Sequence, residues 1–284
     1  MTDSRPFGAY APTGFALWAI ERTRRLPDGW AARRVAHVLR RLAIRSLGGT
    51  PVDVEAFGTR MRLYPDNNLC EKKVLFTPQF FDPEEFAFLR SRMREDLTFI
   101  DIGASVGPYS LFVASLAGPK ARILSVEPQP DVFDRLTFNI RQNPFGTIKA
   151  IDCAIADRCG ELTLFLDARN KGESSVQIVG SAHASSVKVQ AVTLLDLVKA
   201  EGFARVDAVK LDVEGAEDLI LQPFFRDAPP ALYPAFLIVE DERKQWQVDL
   251  PRILEEKGYR LLQQTRSNLI YERASAAEAP SRAA

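Results

Sequence analysis

Residues 99–114 read FIDIGASVGPYSLFVA. Phe99 and Ile100 favour a strand, and an apolar run restarts at Leu111, Phe112 and Val113. Between them lie one acid, Asp101, and two glycines, Gly103 and Gly107, around Ala104 and Ser105. A strand that ends in such a turn and feeds a helix aims the helix N-terminus at a bound group. Gly103 and Gly107 would let backbone approach that group where a side chain would clash. A dinucleotide site uses G-x-G-x-x-G, with the pyrophosphate against the helix. Here the pattern is D-x-G-x-x-x-G. Asp101 stands where a pyrophosphate would need to be and would repel it. It suits an ammonium or a positively charged sulfur. S-adenosylmethionine has both and has no phosphate.

Downstream, Glu127 ends the next strand in LSVEPQP, followed by Pro128. An acid about 20 residues past the glycine turn is placed to accept both ribose hydroxyls. A third strand ends at IDCAIA, which puts Asp152, Cys153 and Ala154 beside the adenine, Ala154 leaving room for a flat ring. Working outward, strand and helix alternate along the chain. Strands are expected at 98–103, 121–126, 147–155, 206–213 and 235–242, with helices between them. ELTLFLD and SVKVQAVTL read as an extra antiparallel pair, and YRLLQQ and NLIYER as a closing antiparallel edge. The expected fold class is α/β: a mostly parallel seven-stranded sheet with an antiparallel edge and helices on both faces.

Ahead of this core, VDVEAFGTRMRLY alternates around Gly58 as a hairpin, and DPEEFAFLRSRM opens a helix with Asp82 as N-cap and Pro83 at the first helical position. Residues 1–50 hold nine Arg against three acids, about +6 in formal charge, leaving about −6 on the rest. WAARRVAHVLRRLAIRSLGG reads as an amphipathic helix with Val35, Val38, Leu39 and Leu42 on one face. Arg33, Arg34, His37, Arg41 and Arg45 mostly occupy the other, and Gly48 and Gly49 end it. The simplest reading packs the apolar face on the core, with Trp18 and Trp30 in the interior. Membrane-surface contact and partner docking remain open. The expected division is a basic helical extension (1–50), a hairpin and helix lead-in (51–96), the main domain (97–273) and a disordered tail (274–284). The acidic main domain argues against a nucleic-acid partner. Three cysteines with no CxxC pair and two histidines give no zinc spacing, and the odd cysteine count suits a cytoplasmic protein.

Taken together, FIDIGASVGPYSL, VEPQPDVFDRLTFNI, AIADRCGELTLF, GESS, AVTLLDLV, DAVKLDVEGAE and FLIVE resemble the FkbM family of S-adenosylmethionine-dependent methyltransferases. The resemblance covers roughly residues 97–242. It implies a Rossmann-like class I methyltransferase fold and S-adenosylmethionine as cofactor. It also implies O-methylation of a hydroxyl on a sugar, glycolipid or natural product. The family's turn has Asn where Ser105 stands, and Glu71 matches a family position ahead of the core.

Methyl transfer to a hydroxyl needs the oxygen in line with the sulfonium, and a base helps an alcohol attack. Candidates belong at the carboxyl ends of the parallel strands. Asp212 is the candidate base or acceptor orienter, with Glu214 and Glu240 holding further hydroxyls. Lys210 would pair with an acid and keep it ionised. Alternatively, Asp212, Glu214 and Glu240 hold a divalent cation, or Glu214 is only a helix N-terminal acid. His183, and Ser174 and Ser175 of GESS, fall in a loop that could cover the acceptor. A nicotinamide-dependent oxidoreductase and a non-catalytic binding module are the rival functions.

Overall fold

Residues 5–274, apart from 67, 167–173 and 176–184, are described by a computed structural model. The chain begins with two helices, α1 (Gly14–Arg24) and α2 (Trp30–Leu47), the second ended by left-handed Gly48 as expected. The face α2 buries is not the expected one. It seats Ala36 and Ala43, and Ala43 joins Ala19 and Ile20 of α1 in the core. Alanine permits that close approach. Val35, Val38 and Leu42 are left 47%, 56% and 45% exposed, and Trp18 and Trp30, expected inside, are 52% and 71% exposed.

Strands β1 (Val52–Ala56) and β2 (Thr59–Leu63) form the predicted hairpin. Its two turn residues, Phe57 and Gly58, have φ of 55° and 77°, which suits the twist of a tight hairpin. Asp53 and Arg62 face each other across it and are fully buried. Arg62 donates Nε to Asp53 Oδ1 at 2.7 Å and Nη2 to Oδ2 at 2.9 Å. The pair also secures the N-terminal segment. Asp53 Oδ2 accepts from the amides of Gly8 and Tyr10, and Arg62 donates to the carbonyls of Arg5 and Pro6. Helix α3 (Leu69–Phe76) follows, capped by Asn68, and then α4 (Pro83–Ser91) with Pro83 at its start. Asp82 holds the N-cap position of α4 as expected, but its side chain makes no capping bond; its carboxylate accepts from the Tyr109 hydroxyl at 2.8 Å instead.

The main domain runs β3 (Thr98–Ile102), α5 (Pro108–Leu116), β4 (Arg122–Val126), α6 (Pro130–Arg141) and β5 (Ile148–Ile151). Next come β6 (Ala154–Ile155), β7 (Gly160–Leu166), β8 (Ser174–Ser175), β9 (Ser185–Val192) and α7 (Leu194–Ala200). The chain continues with β10 (Ala208–Leu211), α8 (Glu217–Asp227), β11 (Phe236–Glu240), α9 (Leu250–Glu256), β12 (Tyr259–Gln264) and β13 (Asn268–Arg273). Seven strands form one sheet in the order β12-β13-β11-β10-β3-β4-β5. β11, β10, β3, β4 and β5 are parallel neighbours, and β13 pairs antiparallel with both β11 and β12. The reversed strand therefore lies one place in from the edge.

The expected strand 147–155 is two strands. β5 stays in the main sheet, whereas β6 leaves it to pair with β9, which pairs antiparallel with β7 as predicted. Side chains of the main sheet alternate between two apolar layers: Phe99 joins one, Ile100 and Ile102 the other. The first layer also takes Ala19, Ala43, Val54 and Met61, so the lead-in elements share a core with the main domain. His183, the rest of the predicted covering loop and residues 275–284 lie outside the described residues; Ser174 and Ser175 are described only as the strand β8.

Candidate functional site

The carboxyl ends of β3, β4, β10 and β11 open on a cavity of about 350 Å³. Asp101, at the end of β3, is buried on its wall. Its Oδ2 accepts from the Ser110 amide at 3.1 Å and the Ser110 hydroxyl at 2.6 Å, while Oδ1 has no donor among the described residues. Burial pushes its carboxyl upward, against the pull of the Lys210 ammonium. A buried acceptor without a partner is costly unless a ligand supplies one, and an ammonium has the chemistry to do so. Glu127, past the end of β4, accepts from the Ser105 and Gln129 amides, each at 2.9 Å. Burial pushes its carboxyl up to about 7, those two amides opposing. Each of its oxygens keeps a lone pair for a hydroxyl. Cavity walls and bare acceptors thus fit a cationic nucleoside.

The wall includes the candidate cofactor residues Gly103, Ala104, Ser105, Pro128, Cys153 and Ala154, together with Ile155 and Leu164. Asp152 and Gly107 are not among the described wall residues, and Asp152 is exposed. The two glycines serve the chain itself. A Cβ on Gly103, at φ 76°, would stand 1.9 Å from the Asp212 carbonyl oxygen, so glycine is needed for β3 and β10 to meet. Gly107 is the left-handed residue that starts α5, backed by Leu136. Ser105 has a φ of 50°. A left-handed residue favours Asn over Ser, which gives the family's usual Asn a backbone reason.

The second wall is acidic. On β10, Lys210 lies between Asp101 of β3 and Ile238 of β11, is 2% exposed, and donates to Asp212 Oδ2 at 2.6 Å. It also stands 4.7 Å from the Tyr109 ring centroid. Burial alone would lower its pKa, but the Asp212 and Asp101 carboxylates hold it above its ordinary value. Burial would likewise raise Asp212; the Lys210 ammonium outweighs it and holds the carboxyl low. Glu240 is the counterpart. Burial, then the charges of Asp212 and Glu214, push it up to about 10. The two acids are thus pushed in opposite directions, Asp212 toward its ionised form and Glu240 toward its protonated one. Carboxylate oxygens of Asp212, Glu214 and Glu240 all lie within 4.8 Å of one another.

Glu214 sits at φ 55° in the turn before α8 and is not one of its first-turn acids. Those are Glu217 and Asp218. Glu217 accepts from the Val213 and Gly215 amides and the Trp246 indole, and Asp218 from the Gln247 and Val248 amides. They tie the turn bearing Glu214 to the segment after β11.

Sequence reasoning missed the wall supplied from outside the main domain, Leu69, Cys70 and Lys73 of α3 and Phe81 and Asp82 before α4, and the contribution of Ser267 and Asn268 at β13 within it. Asn68 and Glu71, three apart, are a capping-box spacing that marks the start of α3. Glu71 itself is buried, paired with Arg135 of α6, and is not among the described wall residues.

The sequence profile described as the Methyltransferase FkbM domain matches residues 101–261. The methyltransferase sdnD of Sordaria araneosa is 30% identical over 152 residues, 43% of this chain and 58% of that protein. The hexuronic acid methyltransferase AglP of Haloferax volcanii is 27% identical over 138 residues, 47% of this chain and 52% of that protein. The chain thus spans little more than half the length of these curated relatives. Among solved structures, the METTL16 methyltransferase domain aligns with a TM-score of 0.48 at 15% identity, covering 93% of this chain and 92% of that one.

Proposed function

Since this chain belongs to the FkbM methyltransferase family, we propose that it methylates a hydroxyl of a sugar or sugar-bearing lipid or natural product, with S-adenosylmethionine as its cofactor. One observation carries the reading: Asp101 and Glu127 share a single cavity with Asp212, Glu214 and Glu240. Cofactor and acceptor can therefore meet there. When bound, S-adenosylmethionine supplies an electrophilic methyl group on a sulfonium. Asp101 takes its ammonium and Glu127 its ribose hydroxyls, while Cys153 and Ala154 flank the adenine.

Asp212 accepts a hydrogen bond from the acceptor hydroxyl and so orients its oxygen. Lys210 keeps Asp212 ionised, which makes it a weak base. As the new O–C bond forms, however, the hydroxyl proton becomes strongly acidic, and a weak base suffices to take it. Glu240, pushed toward its protonated form, limits repulsion among the three acids. Glu214 binds a neighbouring acceptor hydroxyl. The relative acting on hexuronic acid supports a sugar-type acceptor.

The test is incubation with methyl-labelled S-adenosylmethionine and a panel of neutral sugars, uronic acids and glycolipids, with mass spectrometry of the labelled product. Label on a sugar oxygen is expected. Label on nitrogen or carbon, or none with any acceptor or cell extract despite tight cofactor binding, overturns the reading.

A further inference from the structure

The outward side of α2 has two adjoining stripes. Ala31, Val35, Val38 and Leu42 follow one another at helical spacing, and Arg34, Arg41 and Arg45 form a row beside them. All seven are exposed. Trp30 opens the helix 71% exposed, with the Arg34 guanidinium 4.4 Å from its ring centroid. The inward side is already satisfied by Ala36 and Ala43, so the apolar stripe has no partner within the chain among the described residues.

The charge distribution identifies what covers it. Residues 1–50 carry about +6 and the remainder about −6, so the net positive charge belongs to the segment that holds α2. An anionic surface attracts the α2 end and repels the main domain, which orients the molecule on approach. Guanidinium groups beside an apolar stripe match lipid phosphates above acyl chains, and an exposed Trp suits the same depth. A second copy of the chain matches less well. A two-fold contact through this face would set each arginine row against its like.

We infer that the outward face of α2 docks on an anionic membrane surface, with Val35, Val38 and Leu42 entering the headgroup boundary and Arg34, Arg41 and Arg45 contacting phosphates. This holds whatever the methyl acceptor is.

Flotation of the full chain with vesicles tests it, comparing phosphatidylcholine alone with phosphatidylcholine containing about 40% phosphatidylglycerol. Binding is expected only to the anionic vesicles and should fall steeply as salt rises past about 0.15 M. Arg41→Gln and Arg45→Gln should each weaken partitioning about fivefold. Val38→Asp with Leu42→Asp should abolish it, with cofactor affinity unchanged as the check on folding. Brominated lipid should quench the Trp30 fluorescence that Trp30→Phe removes. Failure to float with anionic vesicles, or binding that survives these substitutions, overturns the inference. So does a dimer in solution that Val38→Asp with Leu42→Asp dissolves without any vesicle binding.

Discussion

Glu127 is buried yet keeps two oxygens for a ligand, and its ionisation falls close to neutrality, at about 7. Ribose hydroxyls donate to the carboxylate form, and a cationic ligand favours it too. Below about 7 the free protein holds a proton there that must leave on binding. The dissociation constant for S-adenosylmethionine should therefore fall as pH rises through that value and level off above it. Calorimetry in buffers of different ionisation heat will read the released proton. Glu127→Gln should weaken binding more than about tenfold and flatten the pH dependence; a dependence that persists in Glu127→Gln refutes the ribose assignment.

Asp212→Asn, by contrast, should leave cofactor affinity intact while turnover falls by about 100-fold. On this account Asp212 takes the proton with no cation taking part, so EDTA should leave turnover unchanged. Activity lost on chelation and restored by a divalent cation would replace that account. Much of this wall was legible in the sequence, because an acid or small residue directly after an apolar five-residue strand stands at the sheet's open edge. What Gly103 does was not: its neighbour, the Asp212 carbonyl, lies more than a hundred residues away in the chain.

Elements decide how those residues meet. The turn after β3 and the end of β10 touch through Gly103 and the Asp212 backbone. Gly103→Ala must separate them and holds alanine at a φ of 76°. A loss of roughly 1–3 kcal/mol in stability is expected, read by urea denaturation, and cofactor binding should fail even at temperatures where the fold persists. An unperturbed variant would show that the two strand ends can part without consequence.

The alternation of β3 through β11 was readable because short apolar runs bounded by Gly, Pro or acids recur at even intervals. Helix α3 escaped because its eight residues leave no long period to detect. The burial of α2 was misjudged for a different reason. Period alone reveals an apolar stripe but not whether a partner exists for it, and a pair of alanines made the better seat against α1.

Across the whole molecule, the cavity is completed by segments on both sides of the main sheet's first strand, so the lead-in is part of the candidate site's architecture. Its integrity depends on the Asp53–Arg62 pair, buried on both sides. Arg62→Met should cost about 3–5 kcal/mol, since it strands a buried carboxylate. Thermal or chemical denaturation will measure that loss, and a shift below 1 kcal/mol would mean that water reaches the pair. Periodicity shows that this hairpin exists but not that it faces inward, because an alternating Asp and Arg look the same on a wet surface.

Arg62 reaches past its carboxylate to the carbonyls of Arg5 and Pro6, and Asp53 to the amides of Gly8 and Tyr10. The start of the chain is thus a clasp fastened over an interior charge. A protease that nicks it, or a shortened version prepared for crystallisation, takes two carbonyl acceptors from the Arg62 guanidinium and two amide donors from the Asp53 carboxylate. Such trimming should announce itself as lowered heat tolerance and a looser acceptor wall, although the cut lies far from the reacting atoms in sequence.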